Sequence, residues 1–212
     1  MTRATKSKLV RVEADLPDHM EERRRYFDSR LKKTVVRVLQ GDFYVSSDPR
    51  EVLTTILGSC IAVCMRDPVI GCGGMNHFVL PNASQNLDSL PSLQLRYGSY
   101  SIERMTNAIL SRGGRRERLE VKVFGGANVL GTSNVGHENA DFVETYLRKE
   151  GLIVVAKHLR GSSARRVRYH PATGQAYMSE ARDTHPDTLA AREAQLRQKS
   201  AVPTEAGSIE LF

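Results

Sequence analysis

The chain has 212 residues, a formal net charge of +7, 40% hydrophobic and 26% charged residues. That composition fits one globular domain with extended ends and excludes a wholly disordered or fibrous chain. The excess charge is spread as +4 over residues 1–35, +5 over 36–179 and −2 over 180–212, with no basic stripe interleaved with aromatics, which argues against a nucleic-acid partner.

No run approaches the roughly 18 apolar residues of a membrane helix, and the opening Met-Thr-Arg-Ala-Thr-Lys-Ser-Lys lacks a signal-peptide core. The expectation is a cytoplasmic protein without membrane insertion. Three cysteines, Cys60, Cys64 and Cys72, lie in one short stretch. An odd count without an export signal points to reduced thiols rather than a disulfide framework.

In chain order, residues 1–34 are rich in charge, with a helix-compatible run over 18–33 whose apolar stripe is thin, and read as a tail or loosely docked helix. Short strands are predicted over 35–39 and 42–45, around Gln40-Gly41, followed by buried strands over 53–57 and 60–65. Asp67-Pro68 makes a turn, and Gly71 to Gly74 allow close approach before a strand over 75–80 that stops at Pro81. This brings Cys60 and His77 onto neighbouring strands.

A loop over 82–95 precedes a helix that Ser99 or Ser101 caps and Gly113-Gly114 ends. A strand over 119–124 runs into Gly125-Gly126-Ala127-Asn128, a second helix covers 138–149, and strands follow over 152–156, 166–170 and 175–178. Hairpins mixed with two helical crossovers predict a single α/β domain over 35–180, a mixed sheet with helices packed on it. Residues 181–212 form a C-terminal tail with a helical piece over 188–198. There is no P-loop, dinucleotide fingerprint or internal repeat, so no nucleotide cofactor is expected.

The densest chemical signal is Leu57-Gly58-Ser59-Cys60 followed by Gly73-Gly74-Met75-Asn76-His77. A cysteine beside a histidine supplies a nucleophile and its base, because a nearby imidazole favours the reactive thiolate. By residue type alone the pair reads more readily as packing residues. A zinc site of Cys60, Cys64, Cys72 and His77 is the rival use. Its knuckle spacing is missing, so no metal is expected, and Cys64 and Cys72 read as packing residues.

These blocks, with Arg96-Tyr97-Gly98, Lys122 to Asn128, Asn134-Val135-Gly136, Arg165-Arg166-Val167 and Thr173-Gly174, resemble the CheD family of chemoreceptor glutamine deamidases over residues 36–178. The resemblance implies a three-layer α/β sandwich and a Cys-His-Thr set without a cofactor. By position, Cys60 is the nucleophile, His77 the base and Thr54 the threonine, with Thr55 as the adjacent alternative. The implied reaction converts glutamines of methyl-accepting chemotaxis receptors to glutamate through a cysteine thioester, and glutamyl methyl esters are further substrates.

Ser59, Gly125, Gly126 and Asn128 are expected as oxyanion or substrate-approach residues, the glycines reading equally as a tight turn. Arg165 is a receptor-carboxylate candidate or a solvated edge residue. A CheC-type phosphatase is a further implied partner, and a non-catalytic docking module is the alternative. One departure from the family pattern is Arg160 before Gly161, where a second glycine is common.

Overall fold

The structure is a computed structural model that describes residues 24–80, 90–129 and 134–181. Among the described residues, ten strands and two long helices form three layers. The strands are β1 (Arg25–Asp28), β2 (Lys33–Arg37), β3 (Phe43–Ser46), β4 (Glu51–Leu57), β5 (Ile61–Asp67), β6 (Cys72–Asn76), β7 (Glu120–Gly125), β8 (Ile153–Leu159), β9 (Arg165–Tyr169) and β10 (Ala176–Glu180). The helices are α1 (Leu90–Leu110) and α2 (Val135–Lys149).

The strands divide into two mixed five-stranded sheets, ordered β1-β2-β4-β9-β10 and β3-β6-β5-β7-β8. The expected three-layer α/β sandwich is present. Its sheet is two sheets, however, and the segments around Gln40-Gly41 belong to different ones instead of pairing.

Strand β5 shows why the layers stack. A strand's side chains alternate between faces, and β5 is apolar at nearly every position, so it can bury both. Ile61, Val63 and Met65 join Ile102, Met105 and Ile109 of α1 and Val143 and Leu147 of α2 in one core. Ala62 and Cys64 face the other way and pack with Leu53 and Leu57 of β4 and Val167 and Tyr169 of β9 in the second core, between the sheets. Burying one such Val or Leu side chain stabilises the fold by about 1.5–3 kcal/mol. Phe78 and Phe142 add an edge-to-face contact at 6.0 Å beneath α2.

Three local expectations change. Arg25–Asp28 is a strand, not part of a helix over 18–33: Tyr26 and Phe27 suit a pleated surface, and Asp28 Oδ1 accepts hydrogen bonds from the amides of Arg30 and Leu31, which closes a tight turn into β2. Helix α1 starts at Leu90, inside the stretch expected to be a loop. Ser101 is therefore interior, and its hydroxyl accepts from Asn76 Nδ2 at 3.1 Å rather than capping. The tail helix expected over 188–198 lies outside the described residues.

Strand β6 ends at Asn76 instead of running to Leu80. The Asn76 side chain is fully buried and its Oδ1 accepts from the Val63 amide at 2.8 Å, taking the place of a ladder carbonyl. The pairing resumes only as an isolated bridge, Ile61 with Phe78. Among the described residues no helix is long and apolar enough to cross a membrane.

Candidate active site

The chain crosses from one sheet to the other between β4 and β5, and Gly58-Ser59-Cys60 is that corner. Each carbonyl of the corner is held. Ala127 N donates to Gly58 O, Asn139 Nδ2 to Ser59 O and Gly126 N to Cys60 O, all at 2.8 Å. The three peptide planes are thereby fixed before any ligand arrives.

Cys60 and His77 flank the Ile61–Phe78 bridge, whose two backbone hydrogen bonds measure 2.8 and 2.9 Å. Ile61 and Phe78 face the helices, so the residues immediately before each of them face the space between the sheets. Cys60 and His77 are diagonal neighbours on that face. Diagonal positions of an antiparallel pair lie roughly 7–8 Å apart, a span that an imidazole ring covers. Both are buried, Cys60 to 1% and His77 to 7% exposure.

Thr55 is the threonine that reaches His77. In β4 the inward residues are Leu53 and Leu57, so Thr55 between them points inward and Thr54 outward. Thr55 Oγ1 lies 2.7 Å from His77 Nδ1 and donates its proton to Val38 O at 2.9 Å. A hydroxyl whose proton is committed can only accept from the ring, so Nδ1 carries the proton and Nε2 the lone pair. Val38 O at 3.4 Å from Nδ1 supports the same tautomer.

Thr54, the positional expectation, is instead turned away and donates to Val167 O at 2.9 Å. The pleat alternation is the reason: adjacent strand residues never share a face.

The glycines are not openings for a ligand. Gly125 has φ +117°, and a Cβ there would lie 2.0 Å from Cys60 O; Gly126 has φ +69° and lies against Gly136 O. Both are buried, so they back the Cys60 corner as a tight turn. Asn128 lies beyond them, its amide donating to Gly161 O at 2.8 Å. Ser59 is half-buried at the corner itself.

Arg165 is neither solvated nor on an edge. It is 3% exposed on β9, between β4 and β10, and burial lowers its pKa. Its guanidinium donates to His158 O at 2.6 Å, His158 Nδ1 at 2.8 Å and Arg160 O. Those contacts tie the end of β8 to the 160–164 loop, which leans on the glycine turn through Arg160 N donating to Gly125 O at 2.9 Å. Arg160 adopts φ +66°, the conformation a glycine would favour, and its side chain is ion-paired with Asp141 and Glu144.

Asn139 is the residue that sequence reasoning missed. It is fully buried in α2, and while its Nδ2 holds Ser59 O, its Oδ1 accepts from Leu80 N at 2.9 Å. One amide thus clamps the Cys60 and His77 segments together. Only its polarity on the inner face of an amphipathic helix could have signalled this.

The two other cysteines sit apart from this arrangement in chemistry. Burial pushes both the Cys64 and the Cys72 thiols up, which keeps them protonated, and Cys64 packs in the inter-sheet core.

A family model described as CheD chemotactic sensory transduction matches residues 79–180. A protein of Rhodopseudomonas palustris named "Probable chemoreceptor glutamine deamidase CheD" is 49% identical over 199 residues, covering 93% of this chain and 92% of that protein. Proteins of the same name in Cupriavidus metallidurans and, as CheD 1, in Burkholderia thailandensis are each 44% identical. They cover 89% and 84% of this chain and 89% and 76% of their own lengths. Identity at this level over most of the chain makes it a member of the CheD family.

Proposed function

We propose that this protein is a protein-glutamine deamidase acting on the cytoplasmic domains of methyl-accepting chemotaxis receptors, with Cys60 as nucleophile, His77 as base and Thr55 as the residue that orients the base. The observation that carries the reading is the Thr55–His77 hydrogen bond, which leaves Nε2 basic on the face that Cys60 shares.

The reaction follows from those parts. His77 Nε2 takes the Cys60 thiol proton, and the thiolate attacks the carboxamide carbon of a receptor glutamine. The oxyanion is met by the backbone amides of Ser59 and Cys60, whose peptide planes the 2.8 Å contacts of Ala127 to Gly58 O and of Asn139 to Ser59 O hold in place. The imidazolium gives its proton to the departing ammonia. It then takes one from water, and the resulting hydroxide cleaves the thioester to leave glutamate and restore the thiol. A glutamyl methyl ester enters the same cycle with methanol as leaving group. Thr55 assists as the imidazole charges, because an Nδ1–H bond strengthens when the ring is protonated.

Mass spectrometry of a receptor cytoplasmic fragment after incubation with the protein reads the gain of about 1 Da when an amide becomes an acid by thiol-dependent hydrolysis. The shift appears with the parent protein and is absent with Cys60→Ala. A cognate fragment that binds but stays unmodified overturns the reading in favour of a docking module.

A further inference from the structure

Cys60 is 1% exposed, so a ligand reaches Sγ only if something yields. A side-chain carboxamide touches the thiol: Cys60 Sγ donates to Gln40 Oε1 at 3.6 Å. Gln40 sits at the tip of the 39–42 turn between β2 and β3, closed by Asp42 N donating to Leu39 O at 3.1 Å, with Gly41 at φ +89° as a type II turn requires. The turn is tied to the base as well, since Gly41 N donates to His77 O at 2.7 Å and His77 N to Asp42 O at 3.0 Å.

We propose that Gln40 occupies the carboxamide subsite of Cys60 as a resident stand-in, which the substrate's glutamine side chain displaces. The inference rests on Cys60 as the nucleophile and deepens that reading by naming where the substrate amide binds. Three observations converge on it. The contacting group is chemically the one the reaction consumes, the contact is made to the thiol itself, and the residue is half-buried at a turn tip and not in the core. A thiol is a weak donor, so exchanging one amide for another costs little. The backbone bonds of Gly41 and Asp42 keep the turn in place while the Gln40 side chain swings out.

The test compares the parent with Gln40→Ala. Iodoacetamide alkylation of Cys60, followed by peptide mass mapping, is expected to speed up about 5-fold, and the KM for a receptor fragment to fall by a similar factor, because the open form is no longer a minor population. N-acetylglutamine methylamide, added to Gln40→Ala, is expected to refill the subsite and slow alkylation again. Unchanged alkylation, or protection no greater than the parent shows, overturns the proposal. So does a fall in kcat of about 10-fold or more, which would make Gln40 an oxyanion donor. If neither protein deamidates any receptor glutamine, the deamidase reading fails, while alkylation and its protection still decide the place of Gln40.

Discussion

Replacing Thr55 by Val keeps the volume and removes only the hydroxyl. The structure gives that hydroxyl two jobs, accepting from His77 Nδ1 at 2.7 Å and donating to Val38 O at 2.9 Å. A hydrogen bond to a group that becomes charged contributes about 1.5–3 kcal/mol, which is roughly 10- to 150-fold in rate. Val38 O at 3.4 Å can take over part of the Nδ1–H bond, so the expected loss in kcat is about 10- to 30-fold. KM is unchanged, because the hydroxyl touches the base and not the substrate. Stability falls by only about 1 kcal/mol, since the two partners left behind, Nδ1–H and Val38 O, can pair with each other for a net loss of one hydrogen bond, and an apolar group fits the buried face. Thr54→Val is the matched control, losing one bond to Val167 O on the opposite face and no activity. Deamidation rates by mass spectrometry, with folding checked by thermal melts, read both. The reasoning fails if Thr54→Val lowers kcat as much as Thr55→Val, or if Thr55→Val stays within about 2-fold of the parent.

Gly125→Ala forces a Cβ to within 2.0 Å of Cys60 O at φ +117°, and is expected to cost about 2–4 kcal/mol and most of the activity; a melt within a degree of the parent contradicts the backing role. Asn139→Asp keeps an acceptor for Leu80 N but sets a carboxylate against Ser59 O, so kcat should fall on the order of 100-fold from a displaced Cys60, with the receptor KM retained. Equal losses in kcat and in folded fraction would reduce Asn139 to packing. Asp67 gives the acid limit. Burial raises its pKa, but the Arg115, Val69 and Ile70 amides and the Arg118 guanidinium outweigh that and hold it below the usual carboxylate range. A depressed folded pKa stabilises above the unfolded value near 3.9 and is lost as pH falls through the folded one. Asp67→Asn is therefore expected to lower the melting temperature at pH 7 and to flatten its decline on acidification, and melts that decline in parallel refute the assignment.

What was legible in the sequence was what a strand says about its own faces. The unbroken apolar run of β5 announces a strand buried on both sides, and Gln40-Gly41 and Asp67-Pro68 announce turns by their backbone chemistry. Which strands share a sheet depends on partners far apart in the chain, such as β2 with β4 and β4 with β9, and no local pattern states that. The buried amides behave the same way. Asn76 and Asn139 look like ordinary polar residues until Val63 N, Leu80 N and Ser59 O are in place around them. Thr54 and Thr55 are the instructive case. Family position pointed to Thr54, yet the sequence held the deciding signal: Leu53 and Leu57 share a parity with Thr55, and a strand that buries those leucines must turn Thr55 inward with them. His77 therefore meets the threonine that the pleat delivers. The same parity puts Cys60 on the face that carries Ala62 and Cys64, so a single alternation rule, applied to β4, to β5 and across the Ile61–Phe78 bridge, brings all three side chains to the space between the sheets.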